Sequence, residues 1–332
     1  MHTKKILVVG GAGYIGSHMV AVLQDAGFDP IVLDDLSTGH RHAVKDAEFV
    51  MGDMADDNVL ETIFTKHKIQ AVMHFAAFIQ VNESVKNPAK YYLNNVAGTL
   101  KLLQAMLKHG VNQFIFSSTA AVFGEPRYTP MNEDHPQSPV NAYGSSKLMV
   151  EKILQDYTRA YPDFRFMTLR YFNAAGAHPN GKLGEWHEPE THLIPVILEV
   201  ASGKRSAINI FGTDYPTPDG TCIRDYVHVM DLCEAHLLAL QALMQGKKSN
   251  SYNLGTGHGF SIRQVIDCAR EVTKCDIKTE NAERREGDPT ILVADPSLAI
   301  AELNWQPKYA DLPTIIAHAW QASRMNAELS SV

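Results

Sequence analysis

Long apolar runs are absent. No stretch of eighteen consecutive apolar residues occurs in the 332-residue chain, which excludes an ordinary membrane-spanning helix. Cysteine is scarce as well. The four present (Cys222, Cys233, Cys268 and Cys275) are scattered without a CxxC spacing. That argues against a disulfide framework or a zinc finger, and reads as reduced thiols of a cytoplasmic protein. The 15 histidines include no HxxxH or HExxH pair on a predicted helix, so no metal site is expected. Excess positive charge is lacking too: the formal net charge is −7, which speaks against nucleic acid or a membrane surface as a partner. "MHTKKILVVGGAG" passes from two lysines straight into a strand-like run, leaving no room for a signal peptide. No internal repeat or low-complexity tract is present.

What remains is the composition of a globular protein, 45% hydrophobic and 20% charged, long enough for one large domain or two. Short apolar runs ("KILVVGG", "DPIVLDDL", "EFVMGD", "AVMHFAA", "QFIFSST", "FRFMTLRYFN") alternate with segments of helical spacing ("GSHMVAVLQDAG", "NVLETIFTKHK", "NVAGTLKLLQAMLKHG", "SSKLMVEKILQDYTRAY"). This alternation predicts an α/β fold, a doubly wound parallel sheet of Rossmann type. After about residue 173 the texture changes to long stretches rich in Gly, Pro and His, interrupted by "VMDLCEAHLLALQALMQG" and "SYNLGTG". The expected organisation is a nucleotide-binding domain over 1–172 that receives some later segments. A smaller, mixed α/β C-terminal lobe over 173–332 would mainly hold substrate.

"VVGGAGYIGSHMV" contains Gly11-x-Gly13-x-x-Gly16 and Gly10-x-x-Gly13-x-x-Gly16, after a strand and opening a helix. In that context glycines allow a tight turn and close approach to a pyrophosphate, which meets the free N–H groups of the helix start. Asp34 ends the second run, eighteen residues after Gly16. A carboxylate there accepts from ribose hydroxyls and repels a 2′-phosphate, and Asp35 adds to the repulsion, so NAD is expected over NADP. Asp53 could reach the adenine from the end of the third run, although Gly-Asp is also plain turn chemistry.

In "VNAYGSSKLMVEKIL", Tyr143 and Lys147 stand four apart and share one helix face. A phenol acting as base near neutrality needs its pKa lowered by roughly three units, about 4 kcal/mol. One positive charge at about 4 Å supplies that much at an effective dielectric of roughly 20. An isolated YxxxK is more often a surface Tyr packed on a Lys stem. Here "FIFSSTAAVFG" also puts Ser117, Ser118 and Thr119 at the carboxyl end of a strand, where such folds bind ligands.

With "GGAGYIGSH", "HFAA", "NNVAGT", "YGSSKLMVE", "RYFNAAGAHP", "IFGTDYPTPDGTCIRDYVHVMDL", "YNLGTG" and "RREGD" in order, nearly the whole chain resembles the extended short-chain dehydrogenase/reductases that epimerise UDP-sugars. The resemblance implies interconversion of UDP-glucose and UDP-galactose. Tyr143, as phenolate, would take the proton of the sugar's 4-hydroxyl while C4 gives hydride to tightly held NAD. The 4-keto sugar would turn, and hydride would return to its opposite face. Lys147 would lower the phenol pKa and hold the nicotinamide ribose, and Thr119 would set a hydroxyl near O4.

The same resemblance assigns the cofactor to Gly10, Gly13, Tyr14, Ile15, Gly16, Asp34, Asp35, Leu36, Ser37, Thr38, Asp53, Met54, Phe75, Ala76, Ala77, Asn94, Ser117, Tyr143, Lys147 and Phe172. It assigns the UDP-sugar to Thr119, Tyr143, Asn173, His192, Leu193, Asn209, Ile210, Phe211, Arg224, Arg285, Asp288 and Leu292. It also implies a homodimer joined through helices, for which the apolar segments 95–109 and 146–160 are candidates. Three positions depart from the pattern: Ile79 replaces a cofactor-side Lys of some relatives, His192 replaces an Asn, and Leu292 stands where bulk gates the sugar's C2 substituent. UDP-N-acetylhexosamines or UDP-pentoses are therefore alternative substrates. A nucleotide-sugar 4,6-dehydratase would carry Asp-Glu where this chain has Ala120 and Ala121. A non-catalytic NAD-binding sensor would typically have lost the Tyr–Lys pair.

Overall fold

The protein is described here from a computed structural model that covers residues 4–44, 46–285 and 288–329. The first half folds as β1 (Lys5–Val9), α1 (Tyr14–Asp25), β2 (Asp29–Asp34), β3 (Glu48–Met51), α2 (Asp57–Lys66), β4 (Ile69–His74), α3 (Val81–Lys86), α4 (Pro88–Tyr91), a π-helical turn (Tyr92–Gly98), α5 (Thr99–Lys108), β5 (Gln113–Thr119), α6 (Ala142–Ala160) and β6 (Arg165–Tyr171). The second half adds β7 (Asn173–Ala175), α7 (Leu193–Ala201), β8 (Ile208–Phe211), β9 (Ile223–Arg224), β10 (Tyr226–His228), α8 (Val229–Met244), β11 (Asn250–Leu254), β12 (Phe260–Ser261), α9 (Ile262–Thr273), β13 (Thr279–Ala282), β14 (Ile291–Leu292), α10 (Ser297–Leu303) and α11 (Leu312–Leu329). None of the described helices is long and apolar enough to cross a membrane.

Seven parallel strands form the main sheet in the order β11-β6-β5-β4-β1-β2-β3. Their near-continuous apolar sequences reflect burial on both faces. Alternation along β1 sends Ile6 and Val8 into a core shared with α1 and α8, and Leu7 and Val9 into one shared with α2, α5 and α6. The chain leaves β1 toward β2 and β3, then crosses back to β4, β5 and β6. Ligands in such folds bind outside the carboxyl ends of the strands where the order reverses, here between β1 and β4.

The later segments divide. α8, β11 and α10 return to the main sheet, contributing Leu232, Leu240, Leu254 and Leu303 to its core. α7, α9 and α11 gather with β8 and β10 around a separate core that includes Ile197, Ile210, Ile266 and Ile315. Three small sheets, β10-β7, β12-β9-β14 and β13-β8, accompany them. Helix α9 carried a readable start signal that the sequence reading passed over: Ser261 and Gln264 close a reciprocal capping box.

Candidate active site

The turn after β1 is held by close backbone approaches. Gly10 has φ +78°, and a Cβ there would collide with the Ala76 backbone. A Cβ on Gly16 would drive into the Gly10 carbonyl. Gly13 caps α1 without a side-chain bond, so the first amides of the helix, those of Tyr14 and Ile15 among them, have no partner within the helix. Asp34 is buried at the end of β2. Its carboxylate accepts from the Ala12 N–H at 2.9 Å and the Leu36 N–H at 2.8 Å, tying the glycine turn to the next strand. Leu36 makes the bend with φ +60°.

A cleft of about 600 Å³ opens here, lined by Gly10, Gly13, Asp34, Asp35, Ser37, Thr38, Asp53, Met54, Phe75, Ala76, Ala77 and Asn94 of the predicted set. Gly52 and Phe78 also line it, and the sequence reading had neither. Asn94 reaches the cleft from the π-helical turn, an insertion common at functional sites. The phenol of Tyr14 turns instead toward the second half of the chain, donating to the Gly176 carbonyl at 2.7 Å.

The catalytic candidates meet at the carboxyl end of β5. Asn141 caps α6 by accepting from the Gly144 N–H, and the helix brings Tyr143 and Lys147 against that strand end. Burial lifts the Tyr143 phenol to about 12, against a lowering hydrogen bond with Thr119. Lys147 is buried and donates to the Ser117 carbonyl at 2.9 Å. Burial pulls its pKa down to about 7, with Glu151 opposing. The tuning expected from the four-residue spacing is therefore corrected. The ammonium is directed at a backbone carbonyl, and relief of the phenol comes from Thr119, because spacing on a helix fixes a shared face but not where a flexible stem points.

Beneath this group lies a buried pair that the sequence reading missed. Glu151 accepts from Ser118 Oγ at 2.6 Å and from Arg170 Nη2 at 2.6 Å and Nε at 3.0 Å, with both charged residues nearly free of solvent. Its signal was the next (i, i+4) step along the Tyr143–Lys147 face. The two regions share a wall: Asn95, next to Asn94, donates to Ser146 Oγ on α6 at 3.1 Å. Ser117 Oγ lies 3.4 Å from His236 Nε2, and burial lowers that imidazole to about 4, leaving it neutral.

The substrate candidates lie mostly in the second half. Leu292, with the cofactor candidate Phe172, packs against Ala120, Val122, Phe123, Met131 and Leu148 beside Thr119. The Asn173 amide donates to the Asp225 carbonyl at 2.9 Å. Asp225 is itself a buried clasp missed from sequence, accepting from the N–H groups of Thr256, Gly257 and Ala294. Arg224 reaches Asp288 at 3.3 Å, and the Arg285 guanidinium lies 3.8 Å over the Phe211 ring. Arg285 and Asp288 belong to the motif "RREGD", whose residues 286 and 287 lie outside the described residues. On β8 the alternation exposes Asn209 and buries Ile210 in the core, so any contact from Ile210 runs through its backbone. His192 caps the start of α7, just before Leu193, and its Nδ1 is engaged by carboxylates, 2.9 Å from Glu185 and 3.3 Å from Glu190. Burial opposes its charge, but these bonds overcome that and lift it to about 10.

Residues 6–255 match the sequence profile of the NAD dependent epimerase/dehydratase family. A UDP-glucose 4-epimerase of Halalkalibacterium halodurans is 53% identical over 315 residues, covering 95% of this chain and 94% of that protein. The crystal structure of UDP-glucose 4-epimerase from Brucella ovis in complex with NAD superposes with a TM-score of 0.93 at 47% identity, covering 96% of this chain and 98% of that one. The UDP-Glc/GlcNAc 4-epimerase of Campylobacter jejuni superposes with a TM-score of 0.85 at 46% identity, covering 97% and 99%.

Proposed function

Because the chain belongs to the NAD dependent epimerase/dehydratase family, we propose that it is an NAD-dependent enzyme interconverting UDP-glucose and UDP-galactose by inversion at C4. The residues present fit NAD. Glycines stand where a Cβ would strike backbone, Gly13 leaves the helix start open, and Asp34 and Asp35 bring negative charge where a 2′-phosphate would sit. When bound, NAD would supply the hydride acceptor for C4 and, once reduced, the donor that restores it.

The chain's own part is proton handling and positioning. Tyr143 Oη takes the proton from the sugar's 4-hydroxyl and gives it back after inversion, with Thr119 as its hydrogen-bond partner. Lys147, fixed on the Ser117 carbonyl, supplies a donor and a charge that titrates near neutrality. Arg224 and Arg285 present planar donors suited to the substrate's pyrophosphate, while Asn173 and Leu292 border the sugar. Ala120 and Ala121 after Thr119 carry no acid or base for elimination, which disfavours a 4,6-dehydratase.

The convergence of Thr119, Tyr143 and Lys147 at the carboxyl end of β5 carries this reading. Its test is direct: purified protein should convert UDP-galactose to UDP-glucose without added cofactor. Tyr143→Phe should lose about 10²–10⁴-fold in kcat while keeping its NAD. Near-normal turnover in that variant would sink the assignment.

Finer features belong to the same proposal. The protein forms a homodimer in the cytoplasm and serves galactose metabolism. Exposed Val81, Val85, Leu93 and Met149 supply an apolar face on α3, the π-helical turn and α6, whereas Leu102, Leu103 and Met106 of the 95–109 segment are core. The four cysteines are free, as suits a reducing compartment.

A further inference from the structure

Outside the crevice, the loop "GEWHEPETH" before α7 gathers Glu185, His187, Glu190 and His192. One ligating atom from each lies within 4.8 Å of the others. The individual separations are 3.4 Å from His187 Nδ1 to Glu185 Oε1 and 3.6 Å to Glu190 Oε2. From His192 Nδ1 they are 2.9 Å and 3.3 Å to the Oε1 atoms of the same two residues. Ligands about 2.0–2.2 Å from a tetrahedral zinc stand roughly 3.3–3.6 Å apart. The four imidazole–carboxylate separations are therefore close to those of such a shell, with one Glu190 oxygen facing each imidazole.

A second observation points the same way. His187 Nδ1 is buried and has no hydrogen-bond partner, although two carboxylate oxygens face it. Those distances exceed a good N–H···O bond yet suit two ligands of one ion. Glu185 and Glu190 are themselves almost fully enclosed, so together they present two buried negative charges.

We propose that Glu185, His187, Glu190 and His192 bind one divalent cation of the zinc or cobalt class. Nitrogen and carboxylate donors in a tetrahedral set favour these metals over calcium or magnesium. Four protein ligands close the shell, which makes the site structural and leaves no open position for a reacting group. Its effect is to brace the loop against the nucleotide-binding half. Within that loop the Trp186 carbonyl lies 3.1 Å from His40 Nε2 and the Trp186 ring packs 5.3 Å from the His42 ring, and Gly176, eight residues before it, receives the Tyr14 hydroxyl. A metal here fixes the chain between the start of α1 and the start of α7.

Full-length protein stripped with a chelator and titrated with Co²⁺ tests the site. One equivalent should bind with the intense visible absorption of four-coordinate cobalt, and Zn²⁺ should displace it. X-ray absorption of the zinc form should show four nitrogen or oxygen neighbours and no sulfur. His187→Gln and Glu185→Gln should each weaken binding at least tenfold with the circular dichroism unchanged. No saturable binding, a six-coordinate spectrum, sulfur in the shell, or unchanged affinity in both folded variants overturns the proposal. If the variants do not fold, the wild-type spectra alone decide.

Discussion

Replacing Glu151 by Gln tests the foundation of the site. The carboxylate is 1% exposed and Arg170 is 4% exposed, so neither charge has water to fall back on. Glu151→Gln leaves the guanidinium buried without its counter-charge, and breaking such a pair costs about 3–5 kcal/mol. With a urea m-value of about 3 kcal/mol/M, the unfolding midpoint should fall by roughly 1–1.7 M. Glu151→Gln combined with Arg170→Met removes both charges and should recover most of that loss, because the burden is the orphaned charge and not the missing contact. A second readout concerns Lys147, whose pKa of about 7 reflects burial offset by Glu151. Without that carboxylate the pKa drops further, so the ammonium persists only at more acidic pH. The ratio of activity at pH 8 to that at pH 6.5 should fall. A Glu151→Gln midpoint within about 0.3 M of wild type would refute the buried-pair reasoning, and an unmoved pH ratio would refute the coupling to Lys147.

Thr119→Val keeps the side-chain shape but removes the bond that opposes the burial of Tyr143. Since that pKa then rises above about 12, turnover at pH 7 should drop about tenfold, with the rising limb of the pH–rate profile displaced to higher pH. Lys147→Met should remove the loss of activity as pH rises through about 7, because the charge that titrates there is gone, and a falling limb that stays in place would count against any electrostatic role for the ammonium. Gly10→Ala forces a Cβ into the Ala76 backbone at φ +78°. The purified variant should carry at least tenfold less NAD, measured by cofactor content, and full occupancy would show that the turn tolerates a side chain.

The alternation of apolar runs and helical segments was enough to place β1 to β6 with α1, α2, α5 and α6, whereas the short α3, α4 and the π-helical turn carried no such period. Each rests on local periodicity and on backbone bonds that close within a few residues or between adjacent strands. The glycine turn was legible for the same reason, since Gly10 and Gly16 answer to a backbone shape that few other residues permit. The Tyr143–Lys147 face followed from helix geometry alone.

Tertiary closure decided the rest. Nothing near Asn250–Leu254 says that it pairs with β6, 79 residues earlier by the Asn250–Tyr171 gap, since partner choice depends on which edge is left open. Only the folded chain shows that Lys147 turns to Ser117, that Glu151 and Arg170 neutralise each other under the site, and that Asp225 gathers three distant amides. His187 and His192 are spaced wrongly for a helical metal pair, yet an irregular loop brings them to the same two carboxylates. Sequence spacing predicts contacts only where the backbone repeats. Across loops, the direction of a side chain and the burial of a charge are settled by the packing of the whole molecule.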